Sequence, residues 1–597
     1  MHAKSAVLLS ALVVMAAVTP GGSRAQSVAR RPLATADIDD IARLVMLEDR
    51  REFNPADLAR ILSTPHPELR RRAAQAIARI NDKRGIALLR AQPLDADTAV
   101  AATVVFAVGQ LRDTSTIAWF DSLLASPATP VTVATEAAAA LGKIKTAAAR
   151  EVLAGYLTRT ASNARTAPVL GEALFSIGRS TARGDLTPIL RWTKSSDDEL
   201  RWRATWALFR PRDPAAVGAL LEMSRDKSAL VRSWAVRGLA KPQADSAGLG
   251  AAAEAMLITA ARDGDRRVST EAVRALGTYS DSVAISTLLV ALESRDTWIS
   301  VSAAEGLGRI RSVTTIAQLN AATAANRPCA LRIVAMQSLQ VFAPKDAMNA
   351  ATRVVRDTVP YCRVSAFRTI SAIADSGTLP ALRALSDSVR NDPSPAVTSA
   401  ATAAIAAVER RLSGAAGQGR GGASGRQGRP PAPPLTRTLA DYRQIVERWV
   451  VPDYNGQPRP TARWETPRGP IEIELYPGDA PLAVDDFVRT MESGTIVGTQ
   501  FTRVVPDFVD QQETIRAGNT LRDEVNRHRL TRANLAWATS GRDTGSPGYT
   551  LNHTPQPHNE GDFTSMGRVT RGMDAVDRLE LGDRILGARM VGGSGPH

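Results

Sequence analysis

Residues 230–240 read Leu-Val-Arg-Ser-Trp-Ala-Val-Arg-Gly-Leu-Ala, and this stretch carries the pattern that decides the fold of most of the chain. Val231, Trp234 and Ala235 are separated by three and one positions, which places them on one face of a helix. Leu239 follows Val231 by eight residues and continues the same face. The stretch therefore predicts an amphipathic helix with a buried stripe.

The same interval returns along residues 38–412, where an apolar anchor is followed eight residues later by a second apolar residue. Eleven anchors recur at spacings of 31–37 residues: Leu69, Val100, Val133, Val169, Leu200, Val231, Val268, Ile299, Leu331, Cys362 and Val397. Each unit is predicted to hold two helices, the second kind resembling residues 285–292, with Asp, Pro, Gly or Ser in the turns. A single helix pair cannot bury its apolar face, so neighbouring pairs must stack into a solenoid. The pattern resembles HEAT repeats, a family that implies an extended binding surface and no chemistry of its own.

Two further segments lie outside this repeat. Residues 1–25 combine Lys4, an apolar stretch and Ser-Arg-Ala at positions 23–25, which predicts a cleaved signal peptide and no transmembrane anchor after its removal. Residues 413–436 are rich in Gly, Arg and Pro, which predicts a flexible interdomain linker. One short helix is expected over 439–450.

The pattern of the chain changes at Trp464. Residues 470–476 alternate apolar and acidic side chains, which predicts a half-buried strand. Residues 480–492 return to helical spacing and are followed by Gly494, a residue typical of helix ends. We therefore predict a compact β-rich domain with a little helix over residues 464–590.

A longer motif lies inside this domain. Residues 501–511 read Phe-Thr-Arg-Val-Val-Pro-Asp-Phe-Val-Asp-Gln, preceded by Gly-Thr-Gln at 498–500. Further segments at 522–526, 557–564 and 567–569 follow in consistent order. These residues resemble the cyclophilin-type peptidyl-prolyl cis-trans isomerases, whose pattern F-x-R-V-x-P-x-F-x-x-Q is matched at all six defined positions. The expected fold class is therefore multidomain: an all-α HEAT-like solenoid followed by a cyclophilin-like antiparallel β-barrel with flanking helices.

The resemblance also implies a site. An X–Pro amide rotates over a barrier of about 18–20 kcal/mol, and twisting it localises the lone pair on the prolyl nitrogen. The resemblance implies that Arg503 stabilises this twisted state, that Phe508 floors the proline pocket and that Gln511 supports Arg503 or the substrate backbone. The substrate-binding residues that it implies are Val509, Ala538, Thr539, Thr550, His558 and Phe563. No cofactor or metal is expected, and the loop context of His553, His558 and Glu560 does not favour a metal site.

Several positions depart from the family pattern. Gln512-Glu513-Thr514 replaces Gly-Gly-Asp, Gly548 replaces a groove glutamine and Thr550 a pocket phenylalanine. Thr539 stands in place of an asparagine and Asn559 in place of a wall leucine. The proline pocket is therefore expected to be wetter and shallower than is usual in the family.

Composition limits the remaining possibilities. The net charge is +14, and the arginines are scattered at helical spacing without interleaved aromatics, which predicts a solvated basic surface and no nucleic-acid partner. The two cysteines, Cys329 and Cys362, lie one repeat apart. Relative to the anchors they are offset by two residues, about 200° of helix turn, so their side chains are not expected to face each other, although export favours oxidation.

These observations predict an exported protein, periplasmic or secreted, that acts as a folding helper. Its isomerase domain would work on unfolded or proline-containing client proteins while the solenoid docks clients or envelope protein partners. Two alternatives stay open: a proline-binding module that no longer catalyses, and a scaffold that organises an envelope complex through the solenoid.

Overall fold

The structure is a computed structural model that describes residues 31–180, 183–413, 436–515, 521–545 and 548–592. The predicted signal peptide at residues 1–25 lies outside the described residues. Most of the predicted linker at 413–436 lies outside them too.

Residues 35–412 form helices in two rows. The inner row consists of α1 (Thr35–Arg50), α3 (Pro67–Ile80), α5 (Thr98–Gln110), α7 (Val131–Ile144), α9 (Ala167–Arg179), α11 (Asp198–Phe209), α13 (Ala229–Arg237), α16 (Arg266–Leu276), α18 (Thr297–Ile310), α20 (Cys329–Phe342), α22 (Pro360–Ile373) and α24 (Pro395–Leu412). The outer row consists of α2 (Pro55–Leu62), α4 (Gly85–Arg90), α6 (Ile117–Ala125), α8 (Ala147–Arg159), α10 (Thr187–Leu190), α12 (Val217–Met223), α14 (Lys241–Ser246), α15 (Gly250–Ala260), α17 (Ser282–Leu292), α19 (Ile316–Ala321), α21 (Pro344–Val354) and α23 (Leu379–Ser388). Each inner helix packs on the next inner helix along the chain, which is the stacking of a solenoid. Among the described helices, none combines the length and the apolar character needed to cross a membrane.

The anchors of the repeat form the core between the rows. All of them are buried except Ile299, which is half-buried at the start of α18. Trp234 and Ala235, which flank the Val231 anchor in α13, are buried as well. The eight-residue interval therefore marks the residues that each repeat buries against its neighbours.

Arginine–aspartate pairs link successive repeats. The pairs join an arginine near the start of an inner helix to an aspartate in a turn that follows: Arg70–Asp95 at 2.6 Å, Arg201–Asp226 at 2.8 Å, Arg232–Asp263 at 2.8 Å, Arg363–Asp392 at 2.7 Å, and Arg332–Asp357. The side chain of Arg201 is 6% exposed. The expectation that the arginines form a solvated surface is therefore wrong for this set, because each guanidinium bridges two layers of the stack.

Cys329 and Cys362 form a disulfide, with their Cα atoms 5.9 Å apart. The expectation that they would not face each other is wrong. An inner helix in a stack presents one face to the preceding helix and the opposite face to the following one. A residue of α20 that lies about 200° from the anchor stripe therefore faces the anchor position of α22.

The C-terminal part begins with α25 (Leu439–Ile445), a π-helical turn (Val446–Val450) and α26 (Val451–Tyr454). Eight strands follow: β1 (Thr461–Thr466), β2 (Gly469–Leu475), β3 (Phe501–Val505), β4 (Val509–Gln512), β5 (Asn534–Trp537), β6 (Tyr549–Asn552), β7 (Ser565–Arg571) and β8 (Gly587–Gly592). Two helices, α27 (Pro481–Glu492) and α28 (Met573–Val576), flank the sheet. All neighbouring strands pair antiparallel, in the order β3-β4-β6-β5-β7-β2-β1-β8.

The sheet curls into a barrel. The backbone N–H of Phe501, at the start of β3, donates to the carbonyl of Asp583 at 2.9 Å, and Ile585 donates to Thr499 at 3.0 Å. These bonds connect the β3 edge to the segment that leads into β8. Trp464, Phe487 and Tyr549 fill the interior, the rings of Phe487 and Tyr549 lying edge to face with centroids 4.9 Å apart.

The barrel lies against the inner row of helices along most of the solenoid. Contacts begin at Arg51, which donates to the carbonyl of Asp523 at 2.8 Å, and extend to Tyr361 in α22, which donates to the carbonyl of Thr502 at 3.3 Å. Near the middle, Arg179 pairs with Glu560 at 2.6 Å. The two parts therefore share a buried, ion-paired interface, which the sequence did not predict.

Candidate active site

The site is built on the β3–β4 hairpin. Arg503 in β3 lies opposite Gln511 in β4, and residues 506–508 form the turn between the strands. Asp507 adopts a left-handed backbone conformation with φ 53°, which turns the chain so that Phe508 follows directly into β4. The hairpin thus brings three residues of the motif to one side of the barrel.

Arg503 and Phe508 are close neighbours. The guanidinium carbon of Arg503 lies 5.7 Å from the centre of the Phe508 ring. Arg503 is exposed, and no acidic side chain of the described residues forms an ion pair with it. Its N–H donors therefore remain free to bind a substrate above the aromatic ring.

A cavity of about 290 Å³ opens beside these two residues. It is lined by eight of the predicted site residues: Arg503, Phe508, Gln511, Val509, Ala538, Thr539, Thr550 and Phe563. The ninth, His558, stacks on Phe508 with ring centroids 6.3 Å apart and planes at 14°. The structure therefore brings the whole predicted set together, with His558 behind the aromatic floor.

The wall of this cavity is polar. Thr550 is buried and its hydroxyl donates to the carbonyl of Ala536 at 3.2 Å. Asn552, Gln556 and Asn559 line the same cavity. This polar lining is consistent with the predicted wetter proline site. How strongly the site binds proline stays a prediction.

Sequence reasoning missed the residues that hold the Phe508 turn. The side-chain amide of Gln556 donates to the carbonyl of Phe508 at 3.0 Å, and Asn559 donates to Gln556 at 2.9 Å. From the solenoid, Arg237 pairs with Asp507 at 2.7 Å and Arg274 donates to the carbonyl of Pro506 at 3.1 Å. No sequence signal pointed to the contacts of Gln556, Arg237 and Arg274 with the turn, because each joins segments that are distant along the chain.

Two histidines near the turn have opposite charge states. Burial, together with the cations Arg210, Arg179, Lys145 and Arg237, lowers the pKa of His558 to about 4, so its imidazole is neutral near pH 7. Burial also opposes the charge of His553, but Asp510 and Asp577 outweigh it and raise the pKa of His553 to about 9. The imidazole of His558 that stacks on the aromatic floor is therefore neutral near pH 7.

Among the described residues, no group of three or more His, Cys, Asp or Glu side chains is placed to hold a metal ion. His553 lies between Asp510 and Asp577, whereas His528 binds Asp479 at 2.9 Å and stacks on Tyr476. The histidines considered as a possible metal cluster therefore have separate partners.

The arrangement can favour a twisted amide over a planar one. A prolyl ring on Phe508 would place its nitrogen near the guanidinium of Arg503, which can donate a hydrogen bond to the lone pair that twisting exposes. Gln511, opposite Arg503 in the hairpin, lies within the same cavity and can bind the substrate backbone. No covalent step and no proton transfer are required.

The family models agree with this division of the chain. The model described as cyclophilin type peptidyl-prolyl cis-trans isomerase/CLD matches residues 461–589. The model described as HEAT repeats matches residues 54–131 and 253–339. The matched segments correspond to the barrel and to two stretches of the helical array.

Individual proteins resemble the barrel. A peptidyl-prolyl cis-trans isomerase of Synechococcus elongatus is 33% identical over 135 residues, which cover 21% of this chain and 93% of that protein. Peptidyl-prolyl cis-trans isomerase B of Bacillus subtilis is 35% identical over 130 residues, covering 20% of this chain and 91% of that protein. A solved cyclophilin type isomerase of Cryptosporidium parvum covers 23% of this chain and 99% of its own, with 17% identity and a TM-score of 0.21. With the relatives matched over nearly their full length at more than 30% identity, this chain belongs to the cyclophilin-type peptidyl-prolyl cis-trans isomerases, joined here to HEAT repeats.

Proposed function

We propose that the protein accelerates the isomerisation of X–Pro bonds in exported client proteins, and that the helical repeats present the client chain to the barrel. The catalytic part rests on the exposed guanidinium of Arg503 beside Phe508. Export, to the periplasm or beyond, rests on the sequence of residues 1–25. Unfolded or proline-containing proteins are the proposed partners, and envelope proteins bound by the repeats are a second class.

One observation supports a role for the repeats in client binding. A second cavity, of about 480 Å³, adjoins the active site and shares Phe508 with it. Its other lining residues come mainly from the inner helices and the loops that follow them, Ala240 among them, whereas Gln243 belongs to the outer helix α14. A chain that leaves the proline pocket on this side would therefore run along the solenoid.

The catalytic proposal is tested with the full chain and a short X–Pro peptide, by NMR exchange between the cis and trans forms. The wild type is expected to accelerate exchange, and Arg503→Ala to lower kcat/KM about a hundredfold because one preorganised donor is lost. Arg571→Ala removes a largely exposed arginine of the same barrel and serves as the matched control. Equal activity of Arg503→Ala and the control would refute the role of Arg503.

The docking proposal is tested by filling the second cavity. Ala240→Trp should lower the acceleration of a proline-limited protein refolding reaction relative to that of a tetrapeptide, since only the longer chain extends along the inner helices. Ala215→Trp, at an exposed alanine outside that cavity, is the control. If Ala240→Trp left the ratio of protein activity to tetrapeptide activity unchanged, the solenoid would not take part in client binding.

A second function is favoured by the polar wall around Thr550, Asn552 and Gln556. In that case the cavity grips proline segments without catalysing their isomerisation. Binding of the peptide by calorimetry together with no acceleration of exchange by the wild type would support this function.

A further inference from the structure

Several inner helices end in a cation with left-handed backbone geometry. The set comprises Arg51 after α1, Arg112 after α5, Lys145 after α7, Arg212 after α11 and Arg311 after α18, with φ values between 51° and 61°. We call this set the basic edge. Left-handed geometry is unfavourable for residues with a Cβ, whereas a cation at a helix C-terminus is favourable. Arg51, Arg112 and Arg212 of the basic edge lie on the side of the solenoid that faces the barrel.

Two members of the basic edge already bind carboxylates of the barrel. Arg51 pairs with Asp543, and Arg112 pairs with Asp562. Both contacts lie on the side of the barrel where a third cavity, of about 460 Å³, meets Thr539 and Phe563 of the active site. This part of the basic edge therefore acts as a set of acid-binding positions.

Lys145 and Arg212 lack such partners. Neither forms an ion pair with an acidic side chain of the described residues, nor does Arg210 beside them. Arg212 lines the cavity of about 480 Å³ that shares Phe508 with the active site. Lys145 and Arg210 are close enough to His558, which stacks on Phe508, to lower its pKa. Lys145 and Arg212 are thus unpaired members of the basic edge that lie next to the prolyl pocket, whereas Arg311, also without an ion pair to the described residues, lies outside the cavity.

The charges of the shared cavity are unbalanced. Its charged lining comprises Arg212, Arg237, Arg274, Arg309, Asp213 and Glu271. Glu271 is already held by Arg237 at 3.1 Å and by Arg274. Arg309 donates to the backbone carbonyl of Arg274 at 2.8 Å and has no acidic partner among the described residues. Within the cavity lining Asp213 is left to offset Arg212 and Arg309, and Glu305, outside the lining, also attracts the charge of Arg309.

One buried polar atom nearby is also unsatisfied. The Nδ1 atom of His558 has no hydrogen-bond partner among the described residues. Buried polar atoms in folded proteins are usually paired.

We infer that the helical repeats supply a specificity subsite for an acidic side chain of the client, a short distance along the chain from the isomerised proline. Arg212 and Arg309 form the subsite, and Phe508 separates it from the prolyl pocket. Because the two cavities share Phe508, the acid belongs near the proline in the client sequence. The inference rests on the proposed isomerase function and names the class of client.

The test uses the full chain and acetylated, amidated peptides that contain one Ala-Pro bond. An aspartate is moved through the positions before and after the proline, and each peptide is paired with its asparagine counterpart. At one of these positions kcat/KM for the aspartate peptide should exceed that for the asparagine peptide by about three- to tenfold, as expected for one partly desolvated ion pair. The preference should weaken in high salt.

The double variant Arg212→Asn with Arg309→Gln should abolish the preference. Asparagine tolerates the left-handed backbone at position 212, so the loop keeps its geometry. Arg311→Asn is the matched control, since it removes an exposed cation of the same basic edge outside the cavity.

The outcomes separate the two claims. Equal kcat/KM for every aspartate–asparagine pair on an active enzyme would overturn the subsite and leave the isomerase function standing. If no peptide is accelerated, the isomerase function fails, and calorimetric binding of the same pairs decides the subsite. Tighter binding of an aspartate peptide that the double variant loses would support the subsite, whereas equal binding would overturn it.

Discussion

At the scale of single residues, Arg503 differs from the other arginines around the turn. Arg237 is held by Asp507 and Glu271, and Arg274 by Glu271. Arg503 has no acidic partner among the described residues, although it lies only a few residues from Asp507 along the chain. A guanidinium that is paired with a carboxylate has to break that strong interaction before it can donate to a prolyl nitrogen. Among the described residues that line the proline cavity itself, Arg503 is therefore a cation available to a substrate.

His553 provides a residue-scale prediction for pH. Its Nε2 lies 2.9 Å from Asp510 and its Nδ1 3.1 Å from Asp577, and although burial opposes the charge, these carboxylates raise its pKa to about 9. The unfolded chain releases this proton near pH 6.5, so between about pH 6.5 and 9 only the folded state holds it. The free energy of unfolding should therefore fall as pH rises through this window, by about 3 kcal/mol.

Urea unfolding of the full chain across this pH range measures the effect. His553→Gln replaces the imidazole with a neutral polar side chain of similar size that cannot be protonated. Its stability should therefore be lower at pH 6.5 and should change less with pH. If the unfolding free energy of His553→Gln had the same pH dependence as that of the wild type, groups other than His553 would cause that dependence.

At the scale of structural elements, the β3–β4 turn is held from both sides. Gln556 of the barrel donates to the carbonyl of Phe508, and Arg237 of helix α13 donates to both the carboxylate and the carbonyl of Asp507, at 2.7 and 2.9 Å. Asp507 is 1% exposed, so its charge depends on this partner. The position of the aromatic floor is thus fixed in part by a helix of the solenoid.

Arg237→Ala should therefore lower catalysis although Arg237 is not in the active-site cavity. Loss of the guanidinium leaves the buried Asp507 carboxylate unpaired, which forces the turn to move, and kcat/KM for a short X–Pro peptide should fall about tenfold or more. Arg237→Lys should restore part of the activity because it returns a charge to Asp507.

The matched control is Arg232→Ala, on the same helix, which breaks the ion pair to Asp263 in the next turn of the solenoid. Both variants should lose stability, but only Arg237→Ala should lose activity per folded molecule. A similar loss in both would mean that Arg237 acts through general stability alone.

The elements differ in how far the sequence could predict them. Periodicity is a local signal, so the predicted strand at 470–476 and helix at 480–492 correspond to Gly469–Leu475 and Pro481–Glu492. The motif brought Arg503, Phe508 and Gln511 into the prediction because they lie within eleven residues. Gln556 and Arg237 were missed, since their contacts join distant segments and amide and guanidinium side chains are common on surfaces. The prediction that Cys329 and Cys362 would not face each other was wrong. It assumed that facing residues occupy equivalent positions in neighbouring repeats, which is not the case in a stack of helices.

At the scale of the whole molecule, buried ion pairs join the two parts. The side chains of Arg179 and Glu560 are 2% and 8% exposed, and Arg529 of the barrel reaches Glu560 at 3.0 Å and Glu172 of the solenoid at 3.5 Å. Charges buried this deeply are stable only with their partners, and removing one partner costs about 3–5 kcal/mol. If either part were alone, several of these charged side chains would be exposed or would lose their partners. Such an interface was not predictable from local sequence, since Arg179 and Glu560 are 381 residues apart.

The two parts should therefore stay together without the covalent connection. With a specific protease site placed within residues 416–424 and cut to completion, the fragments should elute as one complex on size-exclusion chromatography. The double variant Arg179→Ala with Arg529→Ala leaves Glu172 and Glu560 buried without these two cations, so its fragments should separate at the same concentration. If the wild-type fragments separated on cleavage, the connection alone would hold the domains together, and the contacts of the solenoid with the Phe508 turn could not govern catalysis.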